Sequence, residues 1–230
     1  MSCTDLSLMR SVWTDCSRDS LWQFVAGCCN LSSLTVHPSP YDRSPLDMRQ
    51  VSCALPLCRK LTSLEFVTER PQSDLADRLT QICNSLTDLH HLYLDLHGSN
   101  SIRVAEQLSE DSRARLLSLR LRGLVESVDD SQIEFFLCLM SKFPSLTEFE
   151  YFNEQNLFDD QTSVQILTNL LHSLREHSGY VDFMFCAALS PSIRFVEQFA
   201  EQAQADITYD SVKKRWVILK ENVRIVMVFK

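Results

Sequence analysis

A short apolar pattern returns along this chain at nearly constant spacing, and it restricts the folds open to the chain more than any other feature. Its form is apolar-x-x-apolar-x-apolar: Leu31, Leu34 and Val36; Leu61, Leu64 and Phe66; Leu89, Leu92 and Leu94; Leu116, Leu119 and Leu121; Leu146, Phe149 and Tyr151. Tyr180, Phe183 and Phe185 fit more loosely, and Cys3, Leu6 and Leu8 fit one step earlier with cysteine in the first slot. The first slots at 3, 31, 61, 89, 116, 146 and 180 are separated by 28, 30, 28, 27, 30 and 34 residues. The second and third slots lie two residues apart, the period at which a strand returns to the same face. Each match therefore predicts a short strand with one apolar side.

Between the matches the apolar period becomes that of a helix. Leu21, Phe24, Val25 and Cys28 draw one stripe, and so do Leu75, Leu79, Ile82 and Leu86. The same holds for Ile133, Phe136, Leu137 and Met140, and for Val164, Leu167, Leu170, Leu171 and Leu174. One strand and one helix cannot bury their own apolar faces, so the units must stack, strand beside parallel strand and helix beside helix. The expected fold class is α/β, a repeat solenoid.

In strand motif and unit length the chain resembles the leucine-rich repeat superfamily, in particular the long α/β repeats of the ribonuclease-inhibitor type and of F-box leucine-rich proteins. The resemblance covers roughly residues 3–186. The small polar residue that the family carries after the motif is not regular here, since His37, Val67, Asp95, Arg122 and Phe152 follow the third slot. No stretch resembles an F-box helix bundle. The resemblance implies a curved parallel sheet on the concave side, helices on the convex side, and recognition of a protein by the concave sheet. It further implies substrate recognition for a ubiquitin ligase, with cullin-type ligase subunits as associated partners.

The expected organisation is an array of about seven units over residues 1–199 and a C-terminal strand and hairpin cap over 200–230. Val217–Lys220 and Val223–Phe229, rich in β-branched residues and separated by Glu221 and Asn222, read as the hairpin, with Ile207–Tyr209 as a further strand. The first motif starts at Cys3 with no capping segment before it. An alternative expectation is therefore a fragment of a larger leucine-rich repeat sensor or structural protein with no independent partner.

Composition narrows the function classes. With 22 Lys+Arg against 30 Asp+Glu the net charge is -8, which disfavours a general nucleic-acid binder. Only 4 glycines in 230 residues leave no glycine-rich phosphate cradle. The sequence contains no long uninterrupted apolar run and no N-terminal basic-then-apolar segment, so the expected location is cytoplasmic, with the nucleus as the second compartment. Nine cysteines, scattered and odd in number, read as free thiols used as small core residues.

No set of residues carries a catalytic pattern. Gly-x-Ser-x-Gly, His-Glu-x-x-His and the P-loop are absent, no Cys-x-x-Cys pair occurs, and His172 and His177 are spaced five apart, off one helix face. The expectation is a non-enzyme with no cofactor and no metal. The informative positions are those that flank the second and third slots, because alternate strand residues face away from the core. Their central column reads Ser7, Thr35, Glu65, Tyr93, Arg120, Glu150 and Met184. His91, Tyr93, Arg120, Arg122, Glu148, Glu150 and Phe152 are the predicted protein-binding residues, since interfaces enrich aromatic side chains and arginine. Nearby, residues 124–160 are rich in acids, and His37–Pro45 is a proline-dense loop.

Overall fold

The computed structural model describes residues 5–8, 18–37, 48–68, 73–96, 99–123, 138–153, 180–187, 197–199, 201, 204–212, 215–220 and 222–229. These make a mixed α/β structure in which most strand pairs are parallel. The chain divides into two compact units, Met1–Leu121 and Arg122–Lys230, described in turn.

The first unit alternates strands and helices: β1 (Asp5–Leu8), α1 (Arg18–Gly27), β2 (Ser33–Val36), α2 (Met48–Ala54) with a 3-10 turn at Leu55–Leu57, β3 (Ser63–Thr68), α3 (Leu75–Ser85), β4 (His91–Leu96), α4 (Asn100–Gln107), α5 (Glu110–Arg115) and the start of β5 (Ser118–Gly123). Strands β1 to β4 pair in parallel and slot on slot: Leu6 beside Leu34, Leu34 beside Leu64, Leu64 beside Leu92, and likewise Leu8, Val36, Phe66 and Leu94. The backbone shows the repeat directly. Thr62 N and Ser63 N donate to Ser32 O at 2.8 and 3.0 Å, His90 N and His91 N to Thr62 O at 2.9 Å each, and Leu117 N and Ser118 N to His90 O at 2.8 and 3.1 Å. Ser118 therefore stands where His91 and Ser63 stand in the preceding units, and Arg120 stands where Tyr93 and Glu65 do.

The slots fill the core. Leu31, Leu34, Val36, Leu61, Leu64, Phe66, Leu89, Leu92, Leu94, Leu116, Leu119 and Leu121 are all buried. The motif is longer than the strand pattern alone suggests. Val25 and Cys28, Leu55 and Cys58, Cys83 and Leu86, and Met140 and Phe143 lie six and three residues before a first slot. In every one of these units the amide three residues before the slot donates to the carbonyl six before it, and the slot's own amide donates to the carbonyl three before it, at 2.9 to 3.4 Å. These two linked turns bring the chain from helix to strand. Helices pack in sequence, α1 on α2, α2 on α3, and α3 on both α4 and α5. Ser101, buried in α4, donates through Oγ to Leu94 O at 3.2 Å and accepts from Leu96 N at 3.0 Å, which fastens the helix to the end of β4.

Two sequence expectations are corrected here. The stripe of α1 is turned: Trp22 and Val25 are buried while Phe24 is 49% exposed, because the indole supplies more apolar area to the core than the phenyl ring would. The thiols do not all serve as core residues. Cys58 and Cys83 are buried, Cys28 is half-buried, and Cys29, Cys53 and Cys138 are exposed, all six as free thiols. The helix expected at 133–140 is described from residue 138, where it is helical, and the one expected at 164–174 lies outside the described residues, as do His172, His177 and the prolines of the 37–45 loop.

The second unit holds the remainder of β5, then β6 (Glu148–Asn153), β7 (Tyr180–Ala187), β8 (Asp206–Asp210), β9 (Arg215–Lys220) and β10 (Val223–Phe229). Strands β6 and β7 pair in parallel, β10 pairs in parallel with β7, and β9 and β8 follow antiparallel, giving the order β6-β7-β10-β9-β8. The hairpin is present, with Lys220 opposite Val223. Its last strand is interior, and β8 takes the outer place. The register of β7 also departs from the loose motif: Val181 lies beside Phe149 and Asp182 beside Glu150, so Met184 is neighbour to Phe152, not to Glu150 as the central column had it. Val181 is fully buried and takes the second slot that Phe183 was expected to fill, because a two-residue slip preserves which face each side chain occupies while changing its neighbour.

Candidate functional site: the open face of the parallel strands

Strands β2 to β4 of the first unit each have one face against the helices and one face away from them. On β3 the burial alternates strictly, with Leu64, Phe66 and Thr68 buried and Ser63, Glu65 and Val67 half-buried. On β4 Leu92, Leu94 and Leu96 are buried, Tyr93 and Asp95 half-buried, and His91 exposed. The pairing register sets these outward residues in rows across the strands: Ser33, Ser63 and His91; Thr35, Glu65 and Tyr93; Val67 and Asp95. Arg120 is exposed on β5, and the backbone ladder places it one strand beyond Tyr93.

Within this face Glu65 is held by both oxygens. Thr35 Oγ1 donates to its Oε2 at 3.3 Å, and His37 Nε2 lies 3.3 Å from its Oε1. Both partners come from β2 or its first following residue, two positions apart and so on the same face. A carboxylate fixed by two neighbours on an adjacent strand presents a defined negative edge at little entropic cost to a binding partner. Tyr93 follows it in the row with apolar area and a hydroxyl, and Arg120 with a planar charged group. This order of acid, aromatic and base offers several modes of contact on one rigid surface.

The predicted residues fall into two groups. His91, Tyr93 and Arg120 belong to the first unit and share its open face. Glu148 and Glu150 alternate along β6 in the second unit, share one face there and are half-buried, Phe152 lies two positions further along the same strand, and Arg122 is half-buried near the end of β5. Glu150 lies in a row with Asp182 and Arg224 across β6, β7 and β10. Asp182 is only 3% exposed, and its Oδ2 accepts from Arg224 Nη2. Its Oδ1 is buried with no hydrogen-bond partner among the described residues. This ion pair was missed by sequence reading. Its signal was an acid inside an apolar strand at Asp182 and an arginine inside another at Arg224, a pattern that calls for pairing on burial.

Among the described residues no group of three or more His, Cys, Asp or Glu side chains comes together as metal ligands. A cleft of about 300 Å³ lies on the helix side, lined by Trp22, Gln23, Ala26, Gln50, Cys53, Ala54 and Leu57, and its one titratable side chain is the Cys53 thiol. Burial pushes the Cys58 thiol up to about 11 and the Cys83 thiol up to about 12, so neither is a nucleophile near neutral pH. Among the described residues no helix is long and apolar enough to cross a membrane. No protein-family model matches the chain, and no curated protein matches it either.

Proposed function

We propose that this chain is a leucine-rich repeat solenoid of the ribonuclease-inhibitor and F-box type, which binds a protein partner without catalysis through the concave face of its parallel strands. Substrate recognition for a ubiquitin ligase is the role we assign to that binding. The observation that carries the reading is the row of Thr35, Glu65 and Tyr93, with Arg120 beyond it, on the strand face away from the helices. The regular ladder of Ser32, Thr62 and His90 carbonyls supports the repeat, because it reproduces one backbone geometry at the sequence spacing of the motif.

The experiment is affinity purification of the tagged chain from its native cells, repeated with Tyr93→Ala and Arg120→Ala. Both variants should keep the melting temperature of the parent, since neither side chain fills the core. Each should weaken the recovered partner by about 1 kcal/mol or more if the face holds a hot spot. Recovery of ligase subunits with the parent would support the adaptor role. Equal capture of the same partner by the double variant would overturn the assignment of this face.

A further inference from the structure

One carbonyl joins two cysteines that the sequence keeps 30 residues apart: Val25 O accepts from Cys28 N at 3.0 Å and from Cys58 Sγ at 3.5 Å. Both cysteines lie three residues before a first slot, Cys28 before Leu31 and Cys58 before Leu61, so they take the same place in adjacent units. The residues around them keep the same offset. Lys60 Nζ donates to Asn30 Oδ1 at 2.9 Å and Thr62 Oγ1 to Ser32 O at 3.0 Å, each across 30 residues. Neighbouring strands lie about 4.8 Å apart, and a disulfide spans Cα atoms about 4.4–6.8 Å apart, so equivalent positions of two stacked units suit the bond. The same place holds Leu86 and Phe143 in the later units, and Cys83 stands in the other column of the turns, in line with Val25 and Leu55.

The two thiols differ in access. Cys28 is half-buried just after α1, whereas Cys58 is fully buried with its sulfur directed at the preceding unit. Burial, and after it the charge of Cys28, push the Cys58 thiol up to about 11, so the two sulfurs stand within electrostatic reach of each other. Cys58 is therefore inert to reagents arriving from solvent, and Cys28 meets them first.

We propose that Cys28 and Cys58 are a redox pair, which hydrogen peroxide closes into a disulfide between the turns that lead into β2 and β3. The Cys28 thiolate attacks one peroxide oxygen; an S–O bond forms, the O–O bond breaks, and the departing hydroxide leaves as water with the thiol's proton. The Cys58 sulfur then attacks the sulfenic sulfur of Cys28; an S–S bond forms, the S–O bond breaks, and a second water carries away the Cys58 proton. Two thiols and one peroxide become one disulfide and two waters. A sulfur held in register acts at a high effective concentration, which offsets the small thiolate fraction that burial leaves to Cys58. A thiol reductant reverses the bond. This site does not depend on the role given to the open strand face.

The test treats the reduced whole chain with one equivalent of hydrogen peroxide, alkylates it in denaturant and maps its peptides. The peptides carrying Cys28 and Cys58 should be recovered joined and two hydrogens lighter, and Cys83 should still be alkylated. The link should persist when both exposed neighbours are removed, in the Cys29→Ser, Cys53→Ser chain, and be lost in Cys28→Ser. The proposal is overturned by full alkylation of Cys58 after peroxide, by a link that survives Cys28→Ser or disappears with Cys29 and Cys53, or by a link that joins two copies of the chain.

Discussion

Cys58 and Cys83 show what a position in the repeat does to one side chain. Both lie on the turns between helix and strand, three residues before one first slot and six before another, and both are fully buried. Cys58 Sγ donates to Val25 O at 3.5 Å and Ala54 O at 3.8 Å, weak bonds that orient the thiol without charging it. Burial raises both thiols above their ordinary value of 9.0, with the nearby Cys28 adding to the effect at Cys58. Burial raises the phenol of Tyr151 as well. The folded state favours the protonated forms, so their contribution to stability is complete below about pH 9 and is lost as the pH climbs towards 11 and 12. The denaturation midpoint should therefore fall between pH 9 and 11, and an unchanged midpoint would refute the burial of these groups. Near neutral pH, Cys29, Cys53 and Cys138 should react with iodoacetamide in the native state, and Cys58 and Cys83 only on unfolding.

A strand of this array is defined by two apolar slots and a fixed backbone step, and its helix by what the strand leaves uncovered. Leu119 fills the second slot of β5 and is fully buried. Leu119→Ala should cost about 2–5 kcal/mol in chemical denaturation, and a protein as stable as the parent would mean that the slot is not in the core. Among the described residues, the segment before β5 departs from those before β2, β3 and β4 by using two α-helices, α4 and α5, between strands. The capping of α5 explains how so short a helix persists: Ser109 Oγ accepts from Ser112 N at 3.3 Å, Glu110 and Asp111 occupy the first turn, and Arg113 and Arg115 the last. Ser112 within this helix and Leu108 before it are buried. Sequence periodicity located the slots of β2 to β6 because a two-residue alternation is visible locally. It mistook the stripe of α1, where Trp22 and Phe24 both satisfy an apolar pattern and only packing against α2 decides which turns inward.

In the second unit β10 lies inside the sheet, between β7 and β9. Arg224 on β10 reaches the buried Asp182 on β7 across that junction, 42 residues away in sequence. Arg224→Ala would leave this carboxylate buried without its cation. The loss should be about 1–3 kcal/mol, less than for a fully buried pair because the arginine side chain is 37% exposed, and hydrogen exchange in β10 should rise before that in β7. An unaltered denaturation midpoint would show that Asp182 finds another donor. The hairpin itself was legible in the sequence, from two β-branched runs separated by Glu221 and Asn222. Its insertion beside β7 was not, and neither was the two-residue slip of β7 against β6, nor the outer place of β8. The chain alone established the slots of the repeat, the alternation of faces and the residues turned away from the core, because each follows from the geometry of a few consecutive residues. Strand order, register and the pairing of Asp182 with Arg224 required the tertiary structure, because they depend on which distant segments bury the most apolar surface while satisfying every charge they enclose.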